Sequence, residues 1–356
     1  MNMQRPIHGG NLFWAAYQIG CPASSILDFS ASINPLGPPQ SVLNAIQDAL
    51  QDINHYPDPN YTQLRKILAQ YHHLPPEWIL IGNGVAELLT WAGRELAQEE
   101  RTYVFKPFFN DYLRALKTFQ ANIEPVDFLW QQDNPIATLT SFKRKKSGVI
   151  VNNPHNPTGK LLKKEFFISL LEESSLVVVD EAFMDFVDPL QEQSLISWIS
   201  KYSNLIILRS LTKFYSIPGL RLGYVISHPD RIKKWQTWRD PWCVNYLAMV
   251  AGIAAINDKE FTYNTKRWLS FTSEKLFQGL SKIKGLKPIS SSVNFFLVET
   301  SMKSSTLQQK LLQKYHILIR DCLSFPELGD KYFRVAVRKH QDNKKLLDAL
   351  LEILSI

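Results

Sequence analysis

A lysine between two apolar segments is the first candidate for chemistry in this sequence. Lys213 follows the apolar, β-branched segment 204–209 and precedes a second one, 222–226, and both predict buried strands. Ser210 lies on one side of it and Arg221 on the other. An amine there can form an imine with an aldehyde, while hydroxyl and guanidinium groups can bind a phosphate. An aldehyde that carries a phosphate is pyridoxal 5′-phosphate (PLP), so the stretch predicts a PLP site, although a surface turn could have the same composition.

The residues that follow three other predicted strands could complete such a site. They are Phe109 after the strand 103–105, Asn156 after the strand 148–151, and Asp180 after the strand 176–179. Because the carboxyl ends of parallel strands meet at one edge of a sheet, a ring, an amide, a carboxylate and an amine would converge there. Each residue also has an ordinary interpretation, since a phenylalanine often packs in a core and an aspartate often caps a helix.

Two glycine-containing segments could bind anions through backbone N–H groups. Gly84 and Val85 follow the predicted strand 79–81 and precede a helix, so the helix dipole and the first N–H groups would favour a phosphate. Near the N-terminus, His8 stands beside Gly9 in a segment that could form an anion-binding nest. A flexible arm is the alternative for this second segment.

Composition limits the class of protein. The chain has 356 residues, 45% of them hydrophobic, which is enough for a large core and a second, smaller domain. The net charge of +7 includes a basic run, 143–146, which predicts a solvated loop rather than a nucleic-acid site. Three widely spaced cysteines favour neither a disulfide framework nor a metal site and fit a reducing cytosol. We expect no signal peptide, no membrane span and a cytoplasmic location.

The order of the predicted elements indicates the fold. Strands and helices alternate over most of the chain, which is typical of an α/β protein with a mostly parallel sheet between helices. We predict an N-terminal arm over 1–40 that joins the small domain, a large cofactor-binding domain over 41–240, and a small α+β domain over 241–356. Arg320 and Arg334 lie on predicted strands of the small domain, where a buried arginine needs an anionic partner.

Taken together, the motifs resemble the fold-type I PLP-dependent enzymes, in the aminotransferase class I/II branch. The matching segments are 153–159, 180–183, and 210–213 with Arg221. Their order and spacing match over nearly the whole chain. The resemblance implies that Lys213 binds the cofactor covalently. It also implies that Asp180 pairs with the ring nitrogen and keeps it protonated, so that the ring can accept electrons.

The resemblance implies further contacts with the cofactor. Asn156 would hydrogen-bond the ring hydroxyl oxygen, and Phe109 would stack on the ring face. The groups that would hold the phosphate are Ser210, Arg221, and the backbone of Gly84 and Val85. Tyr56 would reach the phosphate bound to a neighbouring subunit, which implies a homodimer with shared sites.

Within this branch, the closer resemblance is to the L-threonine-O-3-phosphate decarboxylases of cobalamin biosynthesis. It rests on the segments 8–11, 27–37, 319–322 and 333–338, together with Phe183. The substrate contacts that it implies are His8, Gly9, Asn34, Asn156, Arg320 and Arg334. Aminotransferases of the branch commonly have a tyrosine at the place of Phe183, whose hydroxyl donates to the ring oxygen, so Phe183 argues against simple transamination.

Three functional hypotheses follow. We predict decarboxylation of L-threonine O-3-phosphate, with Lys213 returning a proton to Cα after CO₂ is lost. The second hypothesis is a histidinol-phosphate aminotransferase, because the same cofactor serves both reactions and the placement of the substrate's anionic groups decides which bond breaks. The sequence does not assign each anion to a particular arginine. The third hypothesis, a PLP-binding regulator, would need a DNA-binding domain, which we do not expect.

Overall fold

The computed structural model describes residues 5–128, 130 and 146–355, so most of the basic run, 143–145, lies outside the described residues. The α-helices are α1 (Leu12–Ile19), α2 (Gln40–Asp48), α3 (Thr62–His72), α4 (Gly84–Leu96), α5 (Asp111–Thr118), α6 (Glu165–Glu173), α7 (Pro229–Gln236), α8 (Tyr246–Asn257), α9 (Lys259–Ser281), α10 (Ser304–Tyr315) and α11 (His340–Leu354). The strands are β1 (Leu27–Asp28), β2 (Ile79–Asn83), β3 (Arg101–Lys106), β4 (Ile123–Asp127), β5 (Ser147–Asn152), β6 (Leu176–Asp180), β7 (Leu205–Ser210), β8 (Leu222–Ser227), β9 (Leu286–Pro288), β10 (Phe295–Thr300), β11 (Ile317–Leu318) and β12 (Tyr332–Ala336). No helix of the described part is long and apolar enough to cross a membrane.

A seven-stranded sheet forms the centre of the molecule. Its strand order is β2-β8-β7-β6-β5-β3-β4. Only β8 runs antiparallel to its neighbours in this sheet, β2 and β7. The strands β5, β6 and β7 are buried along their whole length, as expected for apolar strands covered on both faces. The predicted α/β fold with a mostly parallel sheet is therefore confirmed.

Side chains that alternate along β6 divide between two hydrophobic clusters. Val177 and Val179 pack in one cluster, and Val178 packs in the other. Because successive side chains of a strand point to opposite faces, the sheet has a core on each side. Helices cover both faces, and the carboxyl ends of β5, β6 and β7 remain together at one edge.

The rest of the chain builds smaller sheets. The strands β12, β10 and β9 form an antiparallel sheet, and β1 pairs in parallel with β11. Phe29 accepts a hydrogen bond at its carbonyl oxygen from the N–H of Ala336. The N-terminal segment thus contacts the C-terminal part of the chain, in the way expected of an arm that joins the small domain. The exact boundaries near 40 and 240 remain predictions.

Helix α9 is the longest helix of the described part and starts at Lys259. Asp258 caps it, because its carboxylate accepts a hydrogen bond from the N–H of Phe261. The second turn of α9 places the hydroxyl of Thr265 within hydrogen-bond distance of Asn34.

Candidate active site

A cavity of about 410 Å³ opens at the carboxyl ends of β5, β6 and β7. The predicted site residues that line it are His8, Gly9, Phe109, Val85, Asn156, Asp180, Ser210, Lys213, Arg221, Arg320 and Arg334. They come from both ends of the chain and from the carboxyl ends of five strands, β2, β3, β5, β6 and β7. The structure therefore brings together most of the residues that were selected from the sequence.

Lys213 follows β7 and extends into this cavity. Burial, followed by the positive charges of Arg221 and Arg334, lowers the pKa of its amine from 10.5 to about 8. A larger fraction of the amine is therefore neutral near neutral pH than in an ordinary lysine, and only the neutral amine attacks a carbonyl carbon. The backbone carbonyl of Lys213 accepts a hydrogen bond from the N–H of Asn34, which fixes this segment.

Asp180 lies at the end of β6 and has two hydrogen-bond donors. Its Oδ1 accepts from the N–H of Ala182 at 3.0 Å, and its Oδ2 accepts from the Tyr112 hydroxyl at 2.8 Å. Burial raises the pKa of the Asp180 carboxyl, and the hydrogen bond from Tyr112 is the strongest effect in the opposite direction. Among the described residues, no cationic side chain forms an ion pair with Asp180, so a cationic ligand atom fits this position.

The first turn of α4 and Arg221 form a second polar wall. Gly84 has a φ of +72°, a left-handed conformation that favours glycine, and a Cβ there would lie 2.5 Å from Nη2 of Arg221, so a larger residue would displace this guanidinium. Gly84 itself does not line the cavity, but its neighbour Val85 does. Beyond Arg221, the hydroxyls of Ser210 and Thr212 are 2.8 Å apart. Helix N–H groups, hydroxyls and a guanidinium match the needs of a phosphate.

Arg334 is a buried guanidinium that forms no ion pair with an acidic side chain in the part of the chain that the structure describes. It donates from Nη1 to Oδ1 of Asn156 at 2.6 Å, and its guanidinium lies 4.6 Å from the ring centre of Phe295. Burial, together with the charge of Arg320, lowers the pKa of Arg334 to about 10. A buried cation without a counter-charge is costly, so the arrangement favours an anionic ligand.

Arg320 and His8 form the third polar region. Arg320 donates to the backbone carbonyl of Ile7 and to the hydroxyl of Ser324. Its backbone pairs with that of Arg334 in an isolated antiparallel β-bridge. The His8 ring centre is 5.3 Å from that of Phe109. Burial, and then the charge of Arg320, lowers the pKa of His8. The N-terminal arm thus forms part of the wall of the cavity.

Besides Gly84, two of the selected residues, Asn34 and Tyr56, lie outside the cavity lining. Asn34 donates from Nδ2 to the carbonyl of Phe214 and to the hydroxyl of Thr265, and it accepts at Oδ1 from the N–H of Leu36. Its amide is thus occupied by the protein itself. Tyr56 is 80% exposed, and its ring centre is 4.6 Å from that of Trp242. Its predicted role concerns a neighbouring subunit and stays a prediction.

Tyr112 and Ser32 are among the residues of the site that were not selected from the sequence. Tyr112 binds Asp180, and its position three residues after Phe109 was the only available signal. Ser32 lines the cavity, and within the described structure its buried hydroxyl has no hydrogen-bond partner. No local pattern distinguishes Ser32 from the other serines near it in the sequence.

The chain belongs to the aminotransferase class I and II family, whose model matches residues 24–350. A threonine-phosphate decarboxylase from Salmonella typhimurium is 35% identical over 98% of this chain and 96% of its own length. The solved L-threonine-O-3-phosphate decarboxylase of Porphyromonas gingivalis has a TM-score of 0.82 at 25% identity, covering 92% of this chain and 99% of that one. The histidinol-phosphate aminotransferase of Clostridium acetobutylicum has a TM-score of 0.86 at 30% identity, covering 93% and 99%.

These similarities confirm the family that was predicted from the motifs. The family is PLP-dependent, which also confirms the predicted cofactor. The cavity fits that cofactor, because it offers an amine, a buried carboxylate with no cationic partner among the described residues, an aromatic ring and the start of a helix, where a phosphate is favoured.

Proposed function

We propose that this protein decarboxylates L-threonine O-3-phosphate to (R)-1-amino-2-propanol O-2-phosphate, as a step of cobalamin biosynthesis. The observation that carries the proposal is the charge of the cavity. Arg221, Arg320 and Arg334 all line it, and none of them forms an ion pair with an acidic side chain of the described residues. Three guanidinium groups suit three anions, namely the cofactor phosphate, the substrate phosphate and the substrate carboxylate.

The proposed cofactor contacts use the wall formed by β6, β7 and α4. Lys213 would bind the cofactor covalently, Asp180 would pair with its ring nitrogen, and Phe109 would stack on its face. The groups proposed to hold its phosphate are Ser210, Arg221, Gly84 and Val85. When bound, pyridoxal 5′-phosphate supplies a ring that takes up the electron pair released at the substrate Cα.

The two buried arginines differ in their neighbours, and this suggests which anion each one binds. Arg334 contacts Asn156, which is proposed to bind the ring oxygen, so Arg334 is placed for the carboxylate next to Cα. Arg320 lines the same cavity as His8 of the N-terminal arm and donates to the hydroxyl of Ser324. In this proposal, Arg320 binds the substrate phosphate. Two separate anion sites would fix both ends of the substrate and so determine which bond to Cα is oriented for cleavage.

Lys213 also has the properties of a proton donor for the last step. Once CO₂ has left, the electron pair of the broken bond requires a proton at Cα. The amine of Lys213, with its pKa lowered to about 8, can hold a proton and release it near neutral pH. In this proposal, Arg334 and Arg320 orient the substrate, and Lys213 protonates Cα.

The decisive experiment compares two phosphorylated amines. The purified protein with PLP is incubated with L-threonine O-3-phosphate, and separately with histidinol phosphate and 2-oxoglutarate, while CO₂ and glutamate are measured. We expect CO₂ from the first substrate and no glutamate from the second. Glutamate formation without CO₂ would instead assign the protein to histidinol-phosphate transamination. Lys213→Ala serves as the inactive control.

We further propose a homodimer in which Tyr56 of each copy reaches the cofactor phosphate of the other. Tyr56 is 80% exposed and Trp242 is 46% exposed, and their rings pack together as an apolar surface. Light scattering should give a dimer, and Tyr56→Phe should weaken cofactor retention. Tyr263, which is 64% exposed, provides the matched control, Tyr263→Phe. A monomer with full cofactor affinity would refute this proposal.

A further inference from the structure

Tyr112 connects the ring-stacking segment to the carboxylate at the end of β6. It lies in the first turn of α5, three residues after Phe109, and the two ring centres are 5.8 Å apart at an angle of 86°. Its side chain is 1% exposed. Tyr112 is therefore held rigidly by its packing, with the hydroxyl 2.8 Å from Oδ2 of Asp180.

The hydroxyl of Tyr112 acts only as a hydrogen-bond donor toward Asp180. Burial, followed by the negative charge of Asp180, raises the pKa of Tyr112 well above its usual value. Tyr112 therefore stays protonated in the working range of pH and does not exchange protons with a substrate. Its contribution must be to orient Asp180 and to stabilise the ionised carboxylate.

Asp180 depends on this donor because its other stabilising contacts are few. The N–H of Ala182 occupies Oδ1, and Lys213 contributes only a distant positive charge. Without the hydroxyl, burial would favour the neutral carboxylic acid, which attracts a protonated ring nitrogen much less. The hydroxyl also fixes the rotation of the carboxylate group.

We propose that Tyr112 is a positioning residue that keeps Asp180 ionised and correctly oriented for the ring nitrogen of the cofactor. The proposal rests on the cofactor contacts of the proposed function. It gives two tasks to the segment 109–112, which leads into α5, since this segment supplies both the ring of Phe109 that is proposed to stack on the cofactor and the donor to Asp180. A consequence is that the protein distinguishes a ring with a nitrogen from a ring without one partly through Tyr112.

The test measures binding of two ligands to the apoprotein by quenching of tryptophan fluorescence. The ligands are PLP and its 1-deaza analogue, which has carbon in place of the ring nitrogen. Tyr112→Phe should bind PLP about tenfold to a hundredfold more weakly than the native protein. It should bind the deaza analogue nearly as well as the native protein does. A purely structural role would weaken both ligands equally, and that result would overturn the proposal.

A double-mutant cycle and a matched tyrosine complete the test. In an Asp180→Asn background, Tyr112→Phe should no longer change PLP affinity, because the hydroxyl acts through the carboxylate. Tyr224 is also 1% exposed and contacts His72 through its hydroxyl, so Tyr224→Phe controls for the loss of a buried hydroxyl. If Tyr112→Phe fails to fold while Tyr224→Phe folds, the hydroxyl serves the fold and the proposal is wrong. Both binding measurements use no substrate, so they remain informative if phosphothreonine is not decarboxylated.

Discussion

Arg334 donates a hydrogen bond from Nη1 to Oδ1 of Asn156 at 2.6 Å, across 178 positions of the sequence. Arg334 lies on β12 of the small antiparallel sheet, whereas Asn156 follows β5 of the central sheet. The bond connects the proposed site of the substrate carboxylate to the proposed site of the ring oxygen. We therefore expect the binding of substrate to alter the environment of the cofactor through this pair of side chains.

Arg334→Gln should weaken the binding of L-threonine O-3-phosphate by about 2–4 kcal/mol, because a buried guanidinium that binds an anion is removed. It should hardly change the affinity for 1-amino-2-propanol O-2-phosphate, which lacks the carboxylate. Arg320→Gln should weaken both ligands, because both carry the phosphate. Isothermal titration of the four combinations measures these effects.

Arg338→Gln is the control for both arginine variants. Arg338 is in the same segment, but it pairs with Asp342 and does not line the cavity. Neither ligand should lose affinity when it is replaced. An Arg334→Gln protein that loses affinity for both ligands equally would show that the assignment of the two anions is reversed or shared.

The pKa of Lys213 predicts how fast the apoprotein takes up PLP at different pH values. The folded protein lowers this pKa from 10.5 to about 8, so the neutral amine increases as the pH rises through about 8. The rate of covalent attachment should rise with pH and level off above that midpoint. Stopped-flow absorbance measures the rate. A rate that continues to rise toward pH 10 would show that the amine is not shifted.

Lys213→Ala should abolish the attachment, so that borohydride fixes no cofactor to the protein. Lys266 is the matched control, because burial lowers its pKa as well but its side chain does not line the cavity. Lys266→Ala should retain the borohydride-fixed cofactor, which mass spectrometry of the intact protein detects. Fixation that survives in Lys213→Ala would identify a different lysine.

Asn34→Ala should lower kcat and stability but leave the KM for phosphothreonine nearly unchanged. Asn34 is 1% exposed and holds the carbonyl of Phe214 beside Lys213, so its loss disturbs the lysine segment at a cost of about 1–3 kcal/mol in stability. Thr265→Val removes only one of the acceptors and should have a smaller effect. A large increase in KM with an unchanged kcat would support the direct substrate contact that the family resemblance implies.

Phe183→Tyr should lower the rate of decarboxylation about tenfold, the scale of one added hydrogen bond, and allow detectable transamination with 2-oxoglutarate. Phe183 lines the cavity with its ring edge toward Phe295, the side chain that packs under Arg334. Phe183→Leu adds no hydroxyl and should show no transamination. Coupled assays for CO₂ and glutamate measure both activities, and equal behaviour of the two variants would show that the hydroxyl is irrelevant.

Local sequence patterns predicted the central sheet and the edge of the sheet at which the candidate site lies, because both depend on short-range features. The runs of β-branched residues in β6 and β7 can only be buried strands, and the residue after each strand must lie at the sheet edge. The positions of Asp180 and Lys213 followed directly. The glycine at 84 was also informative, because a glycine between a strand and a helix predicts backbone N–H groups that are free to bind an anion, and the structure gives this residue a φ of +72°.

The surroundings of Asn34 and the position of Tyr112 depend on contacts between distant parts of the chain. Asn34 faces Thr265, 231 positions away, and nothing near Asn34 in the sequence indicates that its amide is occupied. Tyr112 meets Asp180, 68 positions further on, only because the fold brings the first turn of α5 to the carboxyl end of β6. The substrate contact that the family resemblance implies for Asn34 stays a prediction, and the structure adds the hydrogen bonds that Asn34 makes within the protein.

The pairing of β1 with β11 has a consequence for synthesis on the ribosome. Arg338 donates to the carbonyl of Asp28 across 310 positions, and Leu27 pairs with Ile317. During synthesis, β1 therefore has no partner strand until residue 317 has left the ribosome. At about 5–20 residues per second, this takes on the order of tens of seconds. During that interval an unpaired edge is available to chaperones or to nascent copies of the same chain.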